Sequence, residues 1–247
     1  MNLDNYSKIL VPGWAIPTEV YQHFIETSEI LFLKDVKVAN FGYFNESTEE
    51  NVLNLNLEDG VQQLSDYIDT DETVLFCHSL GSIFGLQAAS RNKNIKAIVI
   101  FSGFGRFAEG EDWDFGQSVR ALRAMKMMLR KNPQRLLEDF YSNCAQPVAN
   151  KIVISNEFNK ELLKKGLEML QIIDIRDILA TIQIPVLFIH GTDDVICDCQ
   201  VAEATFNMIT NSKLVKFQKV SDGGHNLLFN NVGEWQKIVV EFFKQIK

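Results

Sequence analysis

Short apolar runs recur along the chain, separated by segments whose apolar residues return every three or four positions. Lys8-Ile9-Leu10-Val11, Val36 to Phe41, Val74-Leu75-Phe76, Ala97 to Phe101, Pro185-Val186-Leu187-Phe188-Ile189 and Leu214 to Phe217 read as strands. Leu57, Val61, Leu64 and Ile68 fall on one helical face, as do Val232, Trp235, Val239 and Phe242. Strands alternating with helices predict an α/β architecture, a mostly parallel sheet covered by helices on both faces. The alternation stops between about Gly105 and Gln183, where the pattern predicts several helices and no strand. The expected organisation is a core of 1–104 and 184–247, with 105–183 inserted as a helical lid over the carboxyl ends of the strands.

Composition narrows the class. A chain of 247 residues can bury one sizeable core, and its 46% hydrophobic content is ordinary for a globular protein. No apolar stretch approaches membrane-spanning length, and Met1 to Tyr6 lack a positive region followed by an apolar run, so the expectation is a cytoplasmic protein. Cys77, Cys144, Cys197 and Cys199 make no disulfide framework. Cys197-Asp198-Cys199 is too tight for Cys-x-x-Cys zinc or redox spacing, which leaves reduced thiols and no metal site.

The chemistry concentrates at Cys77-His78-Ser79-Leu80-Gly81, between the Val74 to Phe76 strand and the small-residue stretch Gly81 to Ala89. Strand, sharp turn with serine at the apex, then helix is the setting of a nucleophile elbow, G-x-S-x-G, here with Cys77 at the first glycine position. On pattern alone, Ser79 as a helix N-cap is an equal reading. A serine hydroxyl needs a base to take its proton and a third group to orient that base. His190-Gly191-Thr192-Asp193-Asp194 follows a strand, and Ser221-Asp222-Gly223-Gly224-His225 follows the next. The order Ser79, Asp194, His225 is that of the α/β-hydrolases. Asp193 and Asp222 compete for the acid, and the His-Gly-x-x-Asp pattern favours Asp194. Oxyanion donors are expected from the backbone N–H of Leu80 and, after the first strand, of Trp14 in Pro12-Gly13-Trp14-Ala15.

Charge adds a separate feature. Between Gln117 and Leu136 stand Arg120, Arg123, Lys126, Arg130, Lys131 and Arg135 and no acidic residue, in a chain with net charge −8. On one helix, these residues cover about half the circumference opposite Ala121, Leu122, Met125, Met128 and Leu129. A basic amphipathic helix on an acidic protein reads as a solvated face or as a dock for an acidic partner. The negative charge elsewhere opposes nucleic acid or membrane surfaces.

Together these segments resemble the pimeloyl-acyl-carrier-protein methyl ester esterases of biotin synthesis, within the α/β-hydrolase superfamily. The resemblance runs through Pro12-Gly13-Trp14 with Glu19-Val20-Tyr21, the Ser-Leu-Gly elbow, Phe104-Gly105-Arg106-Phe107 leading to Asp112-Trp113, the basic lid helix, His190 to Asp194, and Gly224-His225. It implies an α/β-hydrolase fold and hydrolysis of the terminal methyl ester of a pimeloyl chain on acyl carrier protein, without metal or organic cofactor. It makes Arg120, Arg123, Lys126 and Arg130 docking candidates for that acidic carrier, and Trp14, Phe104, Phe107 and Phe140 candidates for an acyl tunnel. The chain departs from the family at Pro12, where a histidine usually precedes the glycine, at Cys77, and in lacking room before Ile9 for the usual N-terminal hairpin. A carboxylesterase or thioesterase acting on small acyl substrates would use the same triad residues; a non-catalytic binding or signalling member of the fold is the other class. Dehalogenase and epoxide-hydrolase chemistry is disfavoured, because those relatives carry aspartate where Ser79 stands.

Overall fold

Six apolar runs become the strands β1 (Ser7–Val11), β2 (Val36–Val38), β3 (Thr73–His78), β4 (Ile95–Phe101), β5 (Val186–Gly191) and β6 (Val215–Val220). The computed structural model describes residues 1–44, 52–68, 72–148 and 157–246. Portions of the expected core (45–51, 69–71 and 247) and of the expected lid (149–156) therefore lie outside the described residues. The strands form one sheet in the order β2-β1-β3-β4-β5-β6, every pair parallel. β3 is buried along its whole length, as a central strand covered on both faces must be.

The ten α-helices of the described residues are α1 (Thr18–Thr27), α2 (Leu57–Ile68), α3 (Gly81–Ala89), α4 (Val119–Lys131), α5 (Pro133–Ala145), α6 (Lys160–Ile172), α7 (Arg176–Leu179), α8 (Cys199–Asn207), α9 (Leu227–Asn230) and α10 (Val232–Gln245). Successive β3 residues face opposite layers. Phe76 stacks on Phe32 at 6.2 Å, and Phe32 in turn meets Trp235 of α10 at 6.4 Å. Cys77 and Leu75 meet α3 on the other face. Strand order reverses at β1, whose neighbours are β2 and β3, so the carboxyl ends of β1 and β3 flank the crevice where α/β sheets hold their ligands.

Two elements differ from the sequence expectation. β2 ends at Val38 rather than running to Phe41. There Asn40 Oδ1 accepts the Gly42 N–H, and Gly42 adopts φ +67°, a side-chain-closed turn that competes with extension. The basic segment is two helices rather than one: Pro133 opens α5, and Asn132 Oδ1 accepts the Arg135 N–H at 3.1 Å, capping it. Arg135 consequently leaves the basic face and pairs with Asp139 at 2.9 Å.

Between β4 and β5 the described residues hold α4 to α7 and no strand of the sheet. The two stems of this insertion are tied together where it leaves and rejoins the sheet. Arg106 reaches Asp174 at 2.7 Å, Arg176 reaches Asp112 at 2.9 Å, and the Arg176 guanidinium lies 4.9 Å from the Trp113 ring centroid.

The α3–β3 contact is tight enough to be tested. A β-carbon at position 85 would stand 2.3 Å from Cys77 Sγ but 3.7 Å from Cys77 Cβ. Gly85→Ala alone is expected to overpack the contact and cost about 1–3 kcal/mol, read as a lower denaturant midpoint. Cys77→Ala combined with Gly85→Ala removes the clashing sulfur and should recover most of that loss; a double variant no better than the single would contradict the packing.

Candidate active site

Ser79 occupies the turn between β3 and α3 with φ +52°, a left-handed conformation that costs a residue bearing a β-carbon about 1–2 kcal/mol. The turn is held from outside. Ser79 N–H donates to the Phe101 carbonyl at 2.9 Å, and Ser82 donates its N–H and its hydroxyl to the Ser79 carbonyl at 2.9 and 2.7 Å. A conformation strained in this way and over-determined by its neighbours is typical of functional turns.

His225, in the loop after β6, places Nε2 2.9 Å from Ser79 Oγ and Nδ1 2.8 Å from Asp194 Oδ2. Of the three acidic candidates only Asp194 meets the histidine. Asp193 and Asp222 are exposed, whereas Asp194 is buried. Asp194 Oδ1 accepts the N–H groups of Ile196 and Cys197, each at 2.9 Å. His190 Nε2 lies 3.1 Å from Asp194 Oδ2 and 2.8 Å from the Cys197 carbonyl; both partners are acceptors, so this nitrogen carries the proton. Burial is the largest influence on Asp194 and works to raise its pKa. The field of His225 and the hydrogen bonds from His190 and His225 outweigh it and hold the carboxyl well below the usual carboxylate range.

The hydroxyl opens on a cavity of about 330 Å³ walled by Trp14, Phe107, Leu122, Met125, Leu136, Phe140, Leu170, Val195 and Ile196, with Gln117, Asp139 and Asn143 as its polar members. Trp14 packs edge-on against Phe140 at 4.8 Å, and its indole N–H donates to the Leu163 carbonyl of α6. Phe104 departs from the tunnel expectation. It is fully buried against Phe107 at 4.8 Å and is not among the lining residues; its backbone N–H donates to Ser82 Oγ at 2.9 Å and holds it beside the elbow helix. Among the described residues, the backbone N–H groups of Leu80 and Trp14 have no hydrogen-bond acceptor in the protein.

The predicted cationic residues lie on the other side of the same wall. Leu122 and Met125 of α4 line the cavity, while Arg120, Arg123 and Arg130 are exposed and, among the described residues, have no carboxylate within ion-pair distance. Lys126 is half-buried and bonded to Gln171 Oε1. The sequence reading missed the buried polar partners Tyr21, His78 and His190. Their signal was present for the histidines, which stand within the two motifs, but an isolated histidine or tyrosine carries no partner information in a linear pattern.

A line of hydroxyl, imidazole and buried carboxylate beside two free N–H donors can transfer an acyl group: the imidazole takes the hydroxyl proton while the oxygen attacks a carbonyl. Comparison with known proteins agrees with that chemistry. The family model described as Serine aminopeptidase, S33 matches residues 51–231. A pimeloyl-acyl-carrier-protein methyl ester esterase of Pseudoalteromonas atlantica is 25% identical over 198 residues, covering 75% of each chain. Its namesake in Xylella fastidiosa is 25% identical over 230 residues, covering 88% of this chain and 87% of its own. An esterase structure from Exiguobacterium antarcticum superposes with a TM-score of 0.78 over 97% of this chain and 92% of its own, at 14% identity, which shows the shared α/β-hydrolase fold.

Asp194→Asn leaves a side chain of the same shape that cannot hold the imidazole in the required tautomer. It is expected to lower kcat for a small aryl ester by about 10⁴-fold, and Asp193→Asn to leave it roughly unchanged. Equal losses in both variants would remove Asp194 from the site.

Proposed function

We propose that this chain, which belongs to the Serine aminopeptidase, S33 family and is a serine hydrolase of the α/β-hydrolase fold, cleaves the methyl ester of a pimeloyl chain carried on acyl carrier protein. The observation that carries the chemistry is the Ser79–His225–Asp194 hydrogen-bonded line opening on an apolar cavity. The substrate assignment is supported by the names of the relatives and by α4, which pairs a cavity-lining face with an exposed basic one. In this reading 105–183 is a lid whose helix α4 roofs the acyl site and presents Arg120, Arg123, Lys126 and Arg130 to a small acidic carrier.

The reaction runs in two steps. His225 takes the Ser79 proton as Oγ bonds to the ester carbonyl carbon, and the N–H groups of Leu80 and Trp14 hold the oxygen as it gains charge. The tetrahedral species collapses with loss of methoxide, which leaves as methanol with the proton from His225. Water then gives a proton to His225 and attacks the acyl-serine carbonyl; the bond to Oγ breaks as His225 returns that proton to Oγ, releasing the free carboxyl end of the carrier-bound chain and restoring Ser79. Asp194 stays ionised throughout and steadies the imidazolium, a role matched to its depressed pKa. Trp14, Phe107 and Phe140 keep water away from the methylene chain.

Mass spectrometry of acyl carrier protein bearing the pimeloyl methyl ester, incubated with wild type and with Ser79→Ala, tests the substrate. Wild type is expected to remove one methylene mass and Ser79→Ala to remove none. An enzyme that cleaves small esters but leaves the carrier-bound ester intact would be a general carboxylesterase.

The docking half is read separately. Reversing Arg120 and Arg123 to Glu should lower kcat/KM on the carrier-bound ester by at least about tenfold while a small soluble ester changes little. Equal losses on the two substrates would remove α4 from carrier recognition.

A further inference from the structure

Three loops meet at Ser79: the Gly13–Trp14 turn after β1, the elbow itself, and the His225 loop after β6. Two buried side chains outside the proposed proton path join all three. Gly13 N–H donates to Tyr21 Oη at 2.9 Å, Tyr21 Oη lies 2.8 Å from His78 Nδ1, and His78 Nε2 lies 3.0 Å from the His225 carbonyl. Tyr21 and His78 are both fully buried.

The direction of every bond follows from what each group can do. A carbonyl only accepts, so His78 Nε2 carries a proton. An amide N–H only donates, so Tyr21 Oη accepts from Gly13 and has its own proton for His78 Nδ1. All the donors and acceptors along this path are then satisfied with a neutral imidazole. A second proton on Nδ1 would face the Tyr21 oxygen and strand the phenolic proton in a site without water-accessible surface. The ionisable groups around His78 act in both senses. His225, at 5.3 Å between ring centroids, and His190 oppose a further positive charge, whereas Asp194 favours it; Tyr21, its pKa raised by burial, stays neutral. Burial, the strongest influence, together with His225 pushes His78 down to about 3.

We propose that Tyr21 and His78 are positioning residues that lock the oxyanion turn to the backbone of His225 through a relay that stays uncharged across the working pH range. The turn has little slack. A β-carbon at Gly13 would sit 3.2 Å from Ser79 Cβ and 3.3 Å from His78 Nδ1, so a small displacement of Gly13 moves the neighbouring Trp14 N–H relative to Ser79. The lid grips the same turn from above, through the Tyr141 hydroxyl to the Ala15 carbonyl and the Trp14 indole to the Leu163 carbonyl. Tyr21 and His78 supply the matching grip from below, at a turn where Pro12 has no N–H and no polar side chain of its own.

The inference rests on the acyl-transfer reading of Ser79, and its test has one arm independent of that reading. Nitrogen-15 NMR of the histidine rings in wild type should show His78 as the neutral Nε2–H tautomer from about pH 5 to about pH 9; a titrating His78, or the Nδ1–H tautomer, would overturn the relay whatever the substrate. In the kinetic arm, Tyr21→Phe deletes only the hydroxyl. It is expected to lower kcat for a small ester by about 10–100-fold with KM within roughly threefold, and to weaken a trifluoromethyl ketone, which forms a tetrahedral adduct, by the same factor. His78→Gln keeps a donor for His225 but gives Tyr21 no acceptor at the same place, and its loss should not add to that of Tyr21→Phe in the double variant. Normal kcat and inhibitor affinity in folded single variants, or fully additive losses, would overturn the proposal. An inactive wild type with the expected His78 tautomer would instead count against the esterase reading and leave the relay standing.

Discussion

The close approach of β3 and α3 sets the geometry of everything at the carboxyl edge of the sheet. Because Gly85 leaves room for Cys77 Sγ, the first turn of α3 lies against the strand it follows, and the connection between them closes in two residues, Ser79 and Leu80. A connection that short forces Ser79 into the left-handed region. Its carbonyl is taken by Ser82 and its N–H by Phe101, so the side chain is left as the group free to face the cavity. Cys77 in place of the usual glycine moves the need for space from the strand to the helix, where Gly85 meets it.

Around that turn the buried polar groups form two systems that share His225. In one, the Asp194 carboxylate takes two backbone N–H groups and two imidazole nitrogens, which is how a charge this deep stays ionised. In the other, Tyr21 and His78 join the Gly13–Trp14 turn to the His225 carbonyl through neutral groups. His225 is thus fixed through its ring on one side and its backbone on the other. The arrangement sets the buried charge on the Asp194 side of His225 and keeps the contacts on its backbone side neutral, so that in the proposed mechanism they do not compete electrostatically with an imidazolium.

The helical insertion supplies much of the cavity wall beside Ser79. α4 has an inner face that lines the cavity and an outer face whose Arg120, Arg123 and Arg130 are exposed and, among the described residues, without an ion-pair partner, so the proposed function puts carrier recognition and pocket shaping on the same thirteen-residue element. The ion pairs joining Arg106, Asp112, Asp174 and Arg176 gather both stems of the insertion at one point. On its inner side α4 turns Leu122 and Met125 to the cavity and packs on α5 and α6, while Met127 and Met128 stay exposed; among the described residues no helix is long and apolar enough to cross a membrane.

The sequence alone determined the number of strands and their places along the chain, the strand–serine–helix pattern at Ser79 and the chain order serine, acid, histidine, because these depend on local period and on position at strand ends. It did not decide among Asp193, Asp194 and Asp222; burial and the reach of His225 did. Nor did it break the basic run at Asn132–Pro133, where capping overrode a continuous helical period, or withdraw Phe104 from the cavity wall. Tyr21 and His78 are 57 positions apart, and His78 and the carbonyl it bonds are 147 apart. Contacts over such separations depend on which strands are neighbours and in what register, and that information exists only once the sheet has formed.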